Sequence, residues 1–164
     1  MIQNPITWPN GARCACAITF DMDADRLIHI SRPGDSTDRL HPIAMGRYGP
    51  TVAIPRILDT YKRLGLKQSF FIPGWCMETY PDAVEAILQD GHEIGHHGWI
   101  HEDPIATKGA AQEEAFEKAL ETHKRMTGQA PRGYRAPVYN ITQQVIDLLV
   151  KHDFRYDRSM MADD

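Results

Sequence analysis

Apolar and polar positions along this chain alternate in blocks of two different rhythms. Ala12 to Phe20 is an apolar run unbroken by Pro or Gly, which predicts a buried first strand. Residues 24–50 are polar and rich in Arg, Gly and Pro, and they predict one long surface loop. Within 52–64, Ile54, Ile57, Leu58, Tyr61 and Leu64 recur at helical spacing, and Gly65 supplies the stop. Gln68 to Ile72 predicts the second strand, and residues 82–90 a short helix ended by Gly91. His92 to His97 reads as a third strand, Gly109 to Met126 as a long helix closed by Gly128 and Pro131, and Gly133 to Ala136 as a fourth strand. Asn140 with Gln143 resembles a capping box for a helix carrying Val145, Leu148 and Leu149. Phe154 to Asp157 predicts a fifth strand.

Strands separated by helical stretches predict a parallel sheet in an α/β architecture. Two arrangements fit. An open flavodoxin-like sheet is comfortable in 164 residues; a (β/α) barrel needs about 250, so five strands would be its first part. In both, functional groups collect at the carboxyl ends of strands. Asp21 and Asp23 end the first strand, His97 and His101 follow the third, Arg135 ends the fourth and Asp157 the fifth. One rim would gather the acids, the imidazoles and the guanidinium.

Composition narrows the class. With 42% hydrophobic and 24% charged residues the chain reads as a single globular domain. A net charge of −4 argues against nucleic acid as a partner. No apolar run approaches the roughly 18 residues that span a bilayer, and MIQNPITWPNGAR lacks the pattern of a secretory signal. Three cysteines do not make a disulfide framework. A cytoplasmic protein is the expectation.

The chemistry lies in three clusters. In the first, strand alternation points Thr19, Asp21 and Asp23 to one face, so two carboxylates project together beyond an apolar strand. Such a pair needs a cation, a proton or an arginine between its members; a solvated acidic loop is the plainer alternative. Asp25 reads as loop surface. The second cluster places four of the eight histidines within 92–101. His97 shares the face of Gly95, and His101 follows across a turn, so both imidazoles can reach one metal. His92 and His96 lie on the other face and read as structural. Two imidazoles and the Asp23 carboxylate form a common catalytic zinc set with an open position, although other divalent ions suit it too. Asp21 is then free to take a proton from water. In the third cluster, Arg135 and Pro137 predict a rigid turn holding a guanidinium over the rim, where it could orient a catalytic carboxylate. Trp99 and Tyr139 are candidate walls of a substrate pocket, and Tyr134 fits either a wall or the core. Cys14 and Cys16 read as buried core, Cys76 has no local partner, and the charged helix Glu113 to Lys124 reads as a solvated face.

Taken in order, these clusters resemble the motifs of the polysaccharide deacetylase superfamily (NodB-homology, carbohydrate esterase family 4). The opening Trp8-Pro9-Asn10-Gly11-Ala12-Arg13 is similar to the start of its intracellular branch, which holds peptidoglycan-deacetylase-like, allantoinase-like and cyclic-imide hydrolase members. Thr19 to Asp23 resembles the first motif, His97 to His101 the second, Arg135 to Pro137 the third, and Tyr156-Asp157-Arg158-Ser159 the start of the fourth. The resemblance implies a distorted (β/α) barrel, with Asp21 as general base, Arg135 orienting it, and Asp23, His97 and His101 as metal ligands. It departs in Met22 between the aspartates, in Gly98 where Ser or Thr is usual, and in lacking a counterpart of the late-strand histidine acid.

The expected activity is metal-dependent hydrolysis of a non-peptide carbon–nitrogen bond, with zinc as the expected ion. The expected substrate is an N-acetylated sugar, with a cyclic imide or ureide ring as the alternative. A non-catalytic metal-binding module is the alternative of another class. Residues 1–164 are expected to form one catalytic domain, an N-terminal portion of the barrel incomplete at its C-terminus. Its partners would be a small-molecule or sugar amide and either a second copy or the remaining strands, with no nucleic acid and no membrane.

Overall fold

Five short strands lie side by side in chain order in the computed structural model, which describes residues 7–161. The first six residues, read above for a secretory pattern, and Ala162–Asp164 lie outside the described residues. The strands are β1 (Thr19–Asp21), β2 (Ser69–Ile72), β3 (Glu93–His96), β4 (Gly133–Tyr134) and β5 (Tyr156–Asp157). Each pairs in parallel with the next. A flavodoxin-like sheet would place its first strand inside the order. The unbroken order 1-2-3-4-5 is instead the winding of a (β/α) barrel, present as a five-strand arc.

The helices are α1 (Arg26–Ser31), α2 (Leu40–Tyr48), α3 (Ile54–Leu64), α4 (Gly74–Thr79), α5 (Pro81–Gln89), α6 (Ala110–Thr127) and α7 (Gln143–Lys151). α3 buries Ile54, Leu58 and Tyr61 and stops at Gly65, whose φ of 64° is the left-handed turn that glycine adopts freely. Against α3, α4 and α5 pack Phe70, Ile72 and Ile94 from one sheet face; Phe116, Leu120, Tyr134, Val145 and Leu148 form a second cluster between α6, α7 and β4. Tyr134 is therefore core.

Strand alternation sends the other residues of β2 and β3 to the opposite, inner face. There Phe71 lies against Gly95, where a Cβ would come within 2.6 Å of the ring. Gly133 likewise leaves room for Tyr156, whose hydroxyl donates to Glu93 Oε2 at 2.8 Å.

Four expectations need correction. The apolar run 12–18 is exposed and unpaired, because β1 meets β2 only from Thr19 onward. Cys14 and Cys16 are accordingly exposed rather than core. Residues 24–50 are not one loop, since they hold α1 and α2, drawn inward around Asp25 and the close approach of Gly46 to its backbone. The cap of α7 is Thr142, whose hydroxyl accepts from Val145 N–H, while Asn140 donates to Asp103. The short helix α4 had no clear period in the sequence.

Candidate metal centre and active site

The carboxyl ends of β1, β3 and β4 bring together Asp21, Asp23, His97, His101 and Arg135. His97 follows β3 directly and is 2% exposed. Its Nδ1 lies 2.7 Å from the Arg135 carbonyl. A carbonyl can only accept, so Nδ1 carries the proton and the Nε2 lone pair is free. That Nε2 stands 3.5 Å from Asp23 Oδ1, and His101 Nε2 stands 3.7 Å from Asp23 Oδ2. One ligand atom from each residue lies within 4.8 Å of the others. Two donors held about 2.0–2.1 Å from one tetrahedral ion would stand roughly 3.3 Å apart, so the set needs only small adjustments to hold a divalent cation.

Asp23 Oδ1 and His97 Nε2 are both buried and both lack a hydrogen-bond partner among the described residues. Orphaned polar atoms in such a place are costly unless something satisfies them. Burial pushes the Asp23 carboxyl up, with Asp21 adding to the rise and the two imidazoles opposing it. Burial likewise pushes His97 down, toward the neutral form that ligates metal. The donor set thus fits a divalent ion in composition, spacing and unmet bonding.

Beside these three side chains, Arg135 donates to Asp21 Oδ1 through Nη1 and to the Thr19 hydroxyl through Nη2. Its guanidinium is 4.3 Å above the Phe71 ring, which supports it from the inner face. A buried fork with two acceptors and an aromatic floor holds Asp21 in one orientation.

A cavity of about 260 Å³ opens here, lined by Asp21, Asp23, Leu27, His97, His101 and Tyr139, among others. Tyr139 is 66% exposed on its wall, beside Val138; both have positive φ. Trp99 lies elsewhere: its ring packs against Gly74 of α4, with the Lys118 ammonium 4.1 Å from its centre. His92 and His96 are buried and structural, His92 accepting from Gln68 N–H and His96 bonded to the Phe116 carbonyl.

Asp25 corrects the surface reading. Its side chain is 2% exposed, accepts from Tyr80 Oη at 2.6 Å and Arg47 Nε at 3.0 Å, and lies 3.6 Å from His29 Nε2. Sequence reasoning also missed Thr19 as a second acceptor for Arg135, Cys76, whose thiol donates to the Asp23 carbonyl, and Glu102, which bonds backbone N–H groups of the histidine turn. Thr19, two residues before Asp21 on the same strand face, and Glu102, directly after His101, carry a local signal, whereas Cys76 carries none.

A parallel (β/α) scaffold with a two-histidine, one-carboxylate cluster at its strand ends is the class these features define. The sequence profile of the polysaccharide deacetylase family matches residues 48–156, and the chain belongs to that family. The match takes in both histidines and Arg135 and begins after Asp21 and Asp23. The chain is 35% identical over 147 residues to a peptidoglycan deacetylase of Helicobacter pylori, covering 90% of this chain and 50% of that protein. It thus spans about half the length of the curated relatives it matches. A Mycobacterium smegmatis crystal structure assigned to the polysaccharide deacetylases superposes with a TM-score of 0.90 at 32% identity, over 96% of this chain and 55% of that one. A crystal structure of an allantoinase superposes at 0.76 with 19% identity, over 94% and 57%, which is a likeness of fold. No helix among the described residues is long and apolar enough to cross a membrane.

Proposed function

We propose that this chain supplies the catalytic centre of a divalent-metal hydrolase that removes the acetyl group from an N-acetylated sugar. One observation carries the reading: two buried, unpartnered ligand atoms, Asp23 Oδ1 and His97 Nε2, converge with His101 beside an arginine-held carboxylate. The deacetylase name of the Helicobacter pylori relative supports the substrate class. Zinc is the ion of choice for two imidazoles and a carboxylate. Three free cysteines accord with a cytoplasmic location.

In this reading Asp23, His97 and His101 hold the ion, and residues 1–164 act as one catalytic domain. When bound, the ion supplies Lewis acidity that polarises a carbonyl and makes water acidic near neutral pH. Asp21 is the general base. Water adds to the amide carbonyl carbon and its proton passes to Asp21. Asp21 then passes that proton to the nitrogen as the carbon–nitrogen bond breaks, leaving a free amine and acetic acid, which ionises to acetate. Arg135 keeps the base aimed at the cavity through its bonds to Asp21 and Thr19. Tyr139 and Leu27 give the cavity apolar walls.

Acetate release from N-acetylglucosamine oligomers, measured beside ring opening of a cyclic imide, tests this. The reading expects acetate release that falls about 10²–10⁴-fold in Asp21→Asn. Ring opening without acetate release would transfer the site to the imide class. Metal binding with neither activity would make the chain a binding module.

A further inference from the structure

We infer that Glu102 is a positioning residue that ties off the turn between His97 and His101, and thereby sets the affinity and geometry of metal binding. The inference rests on the reading of Asp23, His97 and His101 as metal ligands. Trp99 N–H donates to both Glu102 carboxylate oxygens, at 3.0 and 3.1 Å, and Ile100 N–H donates to Oε2 at 2.8 Å. Hydrogen bonds to an ionised acceptor are the stronger kind.

The turn needs such a tie. Gly98 has φ of 72° and His101 φ of 62°, and a histidine in the left-handed region persists only when its surroundings hold it there. The carbonyl side of the turn is braced separately: Gly74 N–H donates to Gly98 O at 3.0 Å, Trp75 N–H to Trp99 O at 2.8 Å, and Arg26 Nε to Ile100 O at 3.3 Å. On the amide side, Glu102 is the acceptor for Trp99 and Ile100.

Gly98 belongs to the same arrangement. A Cβ there would lie 2.9 Å from Glu102 Oε1 and 3.1 Å from Pro137 Cγ. The carboxylate therefore occupies the space a side chain at position 98 would need. Because Glu102 adjoins His101 in the chain, loosening its carboxylate frees the backbone that aims that imidazole. Partners that orient metal ligands commonly govern affinity by about 10–100-fold.

Zinc titration against a chromophoric chelator on the wild type, Glu102→Gln and Glu102→Ala tests this, together with visible absorption of the cobalt-substituted proteins. Glu102→Ala is expected to bind zinc about 10–100-fold more weakly, with an altered cobalt spectrum and an unchanged far-UV circular dichroism spectrum. Glu102→Gln keeps one oxygen acceptor and should lose roughly three- to tenfold. A folded Glu102→Ala within twofold of wild type and with the wild-type cobalt spectrum overturns the inference. Should Glu102→Ala not fold, Glu102→Gln decides: weaker binding supports the role and wild-type affinity overturns it. A wild type that binds neither ion overturns the metal reading itself, an outcome distinct from the other two.

Discussion

Replacing Asp25 with alanine should destabilise the fold far more than its place in a polar, Arg-rich stretch suggests. Its side chain is 2% exposed and accepts from Tyr80 Oη at 2.6 Å and from Arg47 Nε at 3.0 Å. A hydrogen bond to a charged acceptor contributes about 1.5–3 kcal/mol. The Arg47 bond adds little to this, since a side chain 59% exposed recovers its hydration when released. The expected loss is therefore about 1.5–3 kcal/mol, or roughly 3–12 °C in melting midpoint for a domain of this size. Burial alone would raise the Asp25 carboxyl, but the bonds from Tyr80 and Arg47 outweigh it and hold it below the ordinary value. A depressed carboxyl contributes stability above its unfolded pKa and loses it as pH falls through the folded one. The gap between wild type and Asp25→Ala should stay constant from neutral pH down to the ordinary carboxylate range and narrow below it. Urea unfolding at neutral pH, followed by melts toward pH 3, measures both. A loss under about 0.5 kcal/mol, or a gap that does not narrow in acid, would refute the buried-anchor account.

Three further outcomes follow from close contacts and exposure. Gly95→Ala places a Cβ 2.6 Å from Phe71 and 3.1 Å from the Gly133 carbonyl, and urea titration should register about 1–3 kcal/mol of overpacking. Arg135→Lys replaces a rigid planar fork by rotatable donors on a flexible stem that fix Asp21 against Thr19 less firmly; kcat should fall about 10–100-fold with metal stoichiometry unchanged. An aromatic disulfide reagent should label Cys14 and Cys16 rapidly in the native protein. Cys76, buried and with its thiol pushed up by burial and by Asp23 and Asp25, should react only on unfolding.

The main architecture could be read from the chain because it rests on short-range periodicity. The apolar positions of α3, α6 and α7 repeat at helical spacing, and Gly65 and Gly128 end α3 and α6 in the left-handed conformation. Asp21, His97 and Arg135 were findable because each sits where a strand stops, which is where parallel architectures expose their side chains. What escaped depends on distant partners. Asp25 looks like surface until Tyr80, 55 residues away, is seen to meet it. Cys14 and Cys16 look like core until β1 is seen to pair only from Thr19. Trp99 reads in the sequence as a bulky candidate wall of the pocket, yet the turn directs its ring toward α4. Alternation within a strand predicts a face, but after the strand ends the backbone of a turn decides where a side chain goes.

The proposed activity rests on Asp23, His97 and His101 holding one divalent ion. Its most direct test is metal analysis of the purified chain, with a zinc titration of the wild type and of His97→Ala. About one ion per chain is expected in the wild type and none retained by His97→Ala. A chain that binds no divalent ion and hydrolyses its substrate at full rate in chelator would contradict it.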